Sequence, residues 1–170
     1  MKPAANYFVL MLSLVAATAS AQPWGCYDPQ PGHPTAAEKT QYIKQISALA
    51  IEADHKHGVP AAAIAAMAIA ESGYGWTRTA LEANNLFGWK YNSVGAAAGR
   101  GSYVLTCQPA EDVNNQYIKF KDAADAVDFV GGKLAVLPAY KEDTRKYQTA
   151  RKAGDSAIHA SREWIAGVAV

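Results

Sequence analysis

The segment from Pro60 to Gly73 constrains this chain more than any other. Ala61 to Ala70 is almost entirely alanine, isoleucine and methionine. Proline at position 60 suits the first turn of a helix, where a backbone N–H has no partner to lose. The predicted helix has no polar face, and a helix that is apolar all round belongs in a protein interior. Gly73 suits a left-handed cap that ends it, which leaves Glu71 and Ser72 in the last turn. A carboxyl group is therefore expected at the end of the most buried helix.

Around that helix the pattern is mostly helical. Thr35 followed by Glu38 is a capping-box pattern, and Tyr42, Ile43, Ile46, Leu49, Ala50 and Ala53 recur at helical spacing, which predicts a helix ending near Gly58. From Asn84 to Phe120 the chain turns to Asn, Gly, Ser and aromatic residues. Short alternating runs at Ser102 to Thr106 and Gln116 to Phe120 predict a small hairpin among loops. Asp122 can cap a helix with the stripe Ala126, Val127, Val130 and Leu134. Pro138 punctuates the chain before a polar helix from about Lys141 to Lys152, and a last helix covers Ser156 to Val168. The fold class is α+β, mainly α, with one domain over residues 35–170 that carries a small β-hairpin lobe.

The N-terminus predicts export. Lys2, the apolar stretch from Tyr7 to Ala17 and the small-residue site Ala19-Ser20-Ala21 form a signal peptide over residues 1–21, directing the protein to the periplasm or the exterior. Residues 22–34 hold four prolines and two glycines and read as an extended arm. About 150 residues then remain of 170, the size of one domain.

A net charge of +1 with no Lys/Arg run argues against nucleic acid as a partner. His55 and His57 fall on different helix faces, and no cysteine cluster or phosphate loop is present, so neither metal nor cofactor is expected. The expectation is a monomer. Cys26 and Cys107 survive leader removal, and an even count in an exported chain predicts a Cys26–Cys107 disulfide worth roughly 4 kcal/mol in the chain-entropy model. Two free thiols are the alternative.

Cleaving a glycosidic bond requires a carboxylic acid that keeps its proton near neutral pH, so that it can protonate the leaving oxygen. Glu71 is the candidate. The apolar helix behind it and the negative end of the helix dipole would both disfavour its anion. The plainer alternatives are a solvated glutamate or one paired with Arg78. Tyr74, Trp76, Phe87, Trp89, Tyr91, Tyr103, Tyr117 and Tyr140 are candidates to stack on sugar faces, although each has core packing as its ordinary alternative.

Two blocks then stand out together: Ala70-Glu71-Ser72-Gly73-Tyr74-Gly75 and, after Leu81, Asn84-Asn85-Leu86-Phe87-Gly88-Trp89-Lys90. The pair resembles family 73 of the glycoside hydrolases, endo-β-N-acetylglucosaminidases that cut peptidoglycan glycan strands at the N-acetylglucosaminyl β-1,4 bond. The similarity continues more weakly through Tyr117 to Leu134 and Pro138-Ala139-Tyr140. It implies a lysozyme-like fold, Glu71 as general acid, and a cleft shaped by the Asn-Leu-Phe-Gly loop.

The same resemblance makes Ser72, Asn85, Phe87, Trp89, Lys90, Gln108 and Tyr140 the substrate-binding candidates. Lys90 and Asn85 would orient the N-acetyl and lactyl groups, with loop structure an equally good account of the asparagine, and Ser72 is expected to hydrogen-bond the local backbone or the glutamate. The family often carries a second acid on a hairpin after a threonine. Here the stretch reads Thr106-Cys107-Gln108-Pro109-Ala110-Glu111-Asp112, with Gln108 where that acid belongs and Glu111 or Asp112 displaced. Glu111 is the preferred second acid. Assistance from the substrate's acetamido group, or no second acid, remain open. The chain ends at Trp164 to Val170, where the family's further Gly-Tyr segment and closing helix would be expected. A binding module of weak activity and a lytic transglycosylase are the competing functions.

Overall fold

The computed structural model describes residues 24–168, and the leader expected over residues 1–21 lies outside them. Six helices and one hairpin follow in the order α1 (Ala36–His57), α2 (Ala61–Ser72), α3 (Arg78–Ala83), β1 (Gly101–Val104), β2 (Gln116–Lys119), α4 (Ala123–Val136), α5 (Pro138–Lys152) and α6 (Ala157–Val168). Among the described residues no helix is long and apolar enough to cross a membrane.

Local chemistry sets the boundaries. At the start of α1 the Glu38 N–H donates to Thr35 Oγ1, and the Thr35 N–H donates to the Glu38 carboxylate at 2.7 Å. The capping box thus satisfies two N–H groups that a helix start leaves open. Gly58 ends the helix in the left-handed region at φ 65°. A side chain there would also strike Gln148 of α5. Asp122 caps α4 by accepting the Asp125 N–H at 2.8 Å.

The core lies where α1, α2 and α4 meet. Ile46, Ala50 and Ala53 of α1, Ile64 and Ala68 of α2, and Val127, Val130 and Leu134 of α4 are buried together. Close approach of α4 to α1 depends on Gly131, where a β-carbon would stand 3.0 Å from the His57 ring. Helices α5 and α6 pair against this core. Trp164 Nε1 donates to Thr144 Oγ1 at 3.0 Å, and the Tyr147 hydroxyl donates to Asp54 at 2.7 Å.

Three expectations are corrected. Helix α2 is not buried all round, because Ala62, Ala66 and Ala70 form an open stripe. Alanine exposes one methyl group, too little apolar area to force a face inward. Ile43 of α1 is 43% exposed and does not join the buried stripe. Helix α5 begins at Pro138 rather than near Lys141, with proline at its first position, where its fixed φ fits the helix.

The short helix α3 has no counterpart in the sequence reading, and the hairpin has the expected strands, with Tyr103 opposite Tyr117. Over residues 24–34 the arm bends at Cys26 to Asp28, turns at Pro31-Gly32 and meets the end of α2 where Pro29 faces Gly73.

Candidate active site

Ser72 organises the end of α2. It is fully buried; its hydroxyl donates to the Ala68 carbonyl at 2.6 Å and accepts the Gly75 N–H at 2.7 Å, with the Tyr42 hydroxyl 3.0 Å away. Burial pushes the Tyr42 phenol above its ordinary range. Gly73 caps the helix at φ 54°. A β-carbon on it would lie 2.6 Å from Pro29 Cγ, so glycine both makes the turn and admits the arm. With Ser72 turned inward, Glu71 points outward and is exposed.

The second motif is held by Asn85, also fully buried. Its amide donates to the Trp89 and Ile118 carbonyls at 2.9 and 2.8 Å. Its oxygen accepts the N–H of Phe87 at 3.4 Å and of Trp89 at 2.9 Å. One side chain therefore closes the loop on itself and ties it to β2. Further bonds from Ile118 N to the Trp89 carbonyl and from Tyr91 N to the Gln116 carbonyl extend the hairpin. The loop delivers Gly88, in the left-handed region at φ 61°, opposite Glu71.

A cleft of about 280 Å³ results, lined by Glu71, Thr77, Thr79, Gly88, Tyr117, Cys26 and Tyr27. A larger space of about 510 Å³ between α5 and α6 contains no residue of either motif.

The hairpin loop forms a wall of this region through a polar network. Lys90 Nζ donates to Gln108 Oε1 at 3.0 Å, the Asn114 carbonyl at 2.9 Å and the Tyr117 hydroxyl at 2.7 Å. The Tyr117 hydroxyl donates to Gln108 Oε1 at 2.9 Å, and the Gln108 amide donates to the Asp112 carbonyl. Asp112 accepts the Tyr27 hydroxyl at 2.6 Å and lies 3.6 Å from Lys90 Nζ. That hydrogen bond to a carboxylate pushes the Tyr27 phenol up to about 12. Beside it, Cys26 and Cys107 form a disulfide with Cα atoms 5.5 Å apart.

Residues 47–168 match the glucosaminidase family, described as mannosyl-glycoprotein endo-beta-N-acetylglucosaminidase. The chain belongs to this family. The glucosaminidase fold is also similar to a solved structure, the catalytic domain of the autolysin Auto from Listeria monocytogenes. That match has a TM-score of 0.53 and 19% identity over 81% of this chain and 78% of that one. A comparison with curated proteins finds no match.

Within the glucosaminidase domain the sequence-predicted residues separate into two groups. Glu71 lies in the cleft, and Gln108 and Lys90 lie in the network beside it. Ser72 and Asn85 are fully buried and Phe87 nearly so; Ser72 and Asn85 hold the loops together through their hydrogen bonds. All three N–H groups of Lys90 are taken by Gln108, Asn114 and Tyr117, so it anchors the hairpin loop. Trp89 packs edge-on against Phe129 with centroids 5.6 Å apart, and Tyr140 stacks on Trp164 at 6.0 Å. Both serve packing.

Glu71 is exposed and is not covered by the apolar helix behind it. Nor is it paired with Arg78, whose guanidinium lies 4.0 Å over the Trp24 ring and donates to the Trp24 carbonyl at 2.9 Å. Among the described residues no hydrogen bond or ion pair engages the Glu71 carboxylate. Glu111 and Asp112 are exposed on the loop between β1 and β2, and only Asp112 is tied to the arm. The sequence reading missed Tyr27, Thr77 and Thr79. For Tyr27 a signal existed, since a bridge at Cys26 carries its neighbour to the loop at Cys107.

Proposed function

We propose that this glucosaminidase-family chain is an exported peptidoglycan hydrolase that cleaves the glycan strand at the N-acetylglucosaminyl β-1,4 bond, with Glu71 as general acid. The observation that carries the reading is an unengaged carboxyl at the end of α2, in a cleft, facing a glycine. Protonating a glycosidic oxygen requires an acid that no neighbour has already claimed and room for a sugar beside it. Glu71 has both.

The desolvation that would favour the protonated acid comes from the substrate in this scheme. A glycan lying in the cleft displaces water from Glu71 and covers it with sugar. The proton passes from the carboxyl to the leaving oxygen as positive charge develops on the ring. Glu111 is the proposed second acid, activating water or stabilising that charge, because Asp112 is occupied by Tyr27 and Lys90. The working unit is residues 35–170 as a monomer, preceded by the arm over residues 22–34 after removal of residues 1–21.

Digestion of purified peptidoglycan by the mature protein and by Glu71→Gln, with released fragments identified by mass spectrometry after reduction, tests the reading. Reducible N-acetylglucosamine ends that vanish with the variant are the expected result. Ends carrying 1,6-anhydro sugars would instead make the chain a lytic transglycosylase. Retained polymer with no fragments would make it a binding module.

A further inference from the structure

The arm brings side chains into the cleft from outside the family core. Cys26 and Tyr27 line the same space as Glu71, yet both precede the span 47–168 that matches the family. This part of the wall comes from the N-terminal segment that precedes the matched span.

Tyr27 is fixed from several sides. The Cys26–Cys107 bridge anchors the preceding residue, the phenol donates to Asp112 at 2.6 Å, and Pro29 sits in the space that Gly73 leaves open. The Gln30 N–H then donates to the Trp76 carbonyl at 2.8 Å. Despite this anchoring the residue is 49% exposed. A tyrosine needed only to bury its ring would not be held at the open edge of a cleft. A rigid, open aromatic face offers large contact area at little cost in conformational entropy.

We propose that Tyr27 is a substrate-positioning residue that stacks against a sugar ring next to the bond cleaved at Glu71. The inference rests on the reading of this cleft as a glycan-binding site. Its chemistry is specific: the single phenolic hydrogen is committed to Asp112, so the oxygen meets the substrate as an acceptor. A sugar hydroxyl or an acetamido N–H fits it. The hydrogen bond to the Asp112 carboxylate also pushes the phenol up to about 12, so the phenolic proton stays in place at neutral and mildly basic pH. Asp112 and the bridge act through Tyr27, as the groups that position it.

The test uses the mature, bridged protein. Binding of a soluble N-acetylglucosamine oligomer is measured by calorimetry in the Glu71→Gln background, and KM and kcat on soluble glycan strands are measured in the active protein. Tyr27→Ala is expected to raise Kd and KM about tenfold and to change kcat far less. Tyr27→Phe keeps the ring and is expected to stay within about threefold of the parent. Equal binding by the parent and Tyr27→Ala would overturn the proposal. So would an equal loss in Tyr27→Phe and Tyr27→Ala, which would assign the effect to the Asp112 contact alone. Tyr27-dependent binding by a wild-type protein that cuts no glycan would sink the hydrolase reading and leave Tyr27 as a sugar-stacking residue of the cleft that holds Glu71.

Discussion

A β-carbon placed on Gly88 would stand 3.6 Å from Glu71 Oε2, so the glycine of the second motif faces the carboxylate of the first. Sixteen residues of intervening chain, including α3, return to the end of α2 to make this contact possible.

Gly88→Ala and Gly88→Val separate the two reasons for glycine at this position. The backbone φ of 61° strains any β-carbon, at about 1 kcal/mol for alanine. Alanine's methyl meets Glu71 only at ordinary contact distance, so stability should fall by that amount while activity falls modestly. Valine adds bulk where the sugar must lie, and kcat/KM should drop about a hundredfold. Urea unfolding together with glycan-strand kinetics distinguishes the effects. Full activity in Gly88→Val would remove Gly88 from the substrate's path.

Asn85→Ala should be a folding defect rather than a binding defect. The substitution takes a partner from two carbonyls and two N–H groups, of which the Trp89 carbonyl keeps its bond from the Ile118 N–H. A loss of about 3–5 kcal/mol is expected, read from the urea midpoint. The fraction still folded should bind glycan with unchanged affinity. A weakened Kd at unchanged stability would instead place Asn85 on the substrate.

These two residues show what the sequence could and could not reveal. Caps and stripes were legible because they are local: Thr35 with Glu38, Asp122, and Ala126 with Val130 act within one or two helical turns. The two motifs were legible as a pair, and Glu71 and Gly88 do meet. The direction in which each motif side chain points was not, because it depends on distant partners. Asn85 turns inward to reach Ile118, and Lys90 turns aside to reach Gln108 and Asn114. Helix α3 is too short for periodicity to reveal, and Tyr27 reaches the cleft through ties to distant residues, among them a bridge spanning 81 positions.

The Arg100–Asp125 pair should make stability pH-dependent. Arg100 reaches both Asp125 oxygens, at 2.6 to 3.1 Å. This charged hydrogen bonding holds the Asp125 carboxyl below its usual range. A depressed folded-state value means that the stabilisation is present above the unfolded aspartate range, near 3.9, and is lost as pH falls through the folded value. Melting temperatures of the parent and Asp125→Asn should differ at pH 7 and converge under acid. A gap of constant size from pH 7 to pH 2 would assign the effect of the substitution to packing.

The Cys26–Cys107 bridge closes a loop across 81 positions, and such a closure contributes about 4 kcal/mol by restricting the unfolded chain. For a domain of this size that corresponds to a melting-temperature loss on reduction of about 10 °C. Stability is only half of the expectation. The bridge lies between the arm and the hairpin loop, so reduction should also free Tyr27 and loosen the Lys90, Gln108 and Tyr117 network. Amide exchange should then quicken across residues 24–34 and 105–115 while α1, α2 and α4 keep their protection. Cys26→Ser with Cys107→Ser should reproduce both effects without reductant. An unshifted melting temperature, with two free thiols found by mass spectrometry in the native protein, would show that the arm is held by Pro29, Gln30 and Trp24 without a covalent tie.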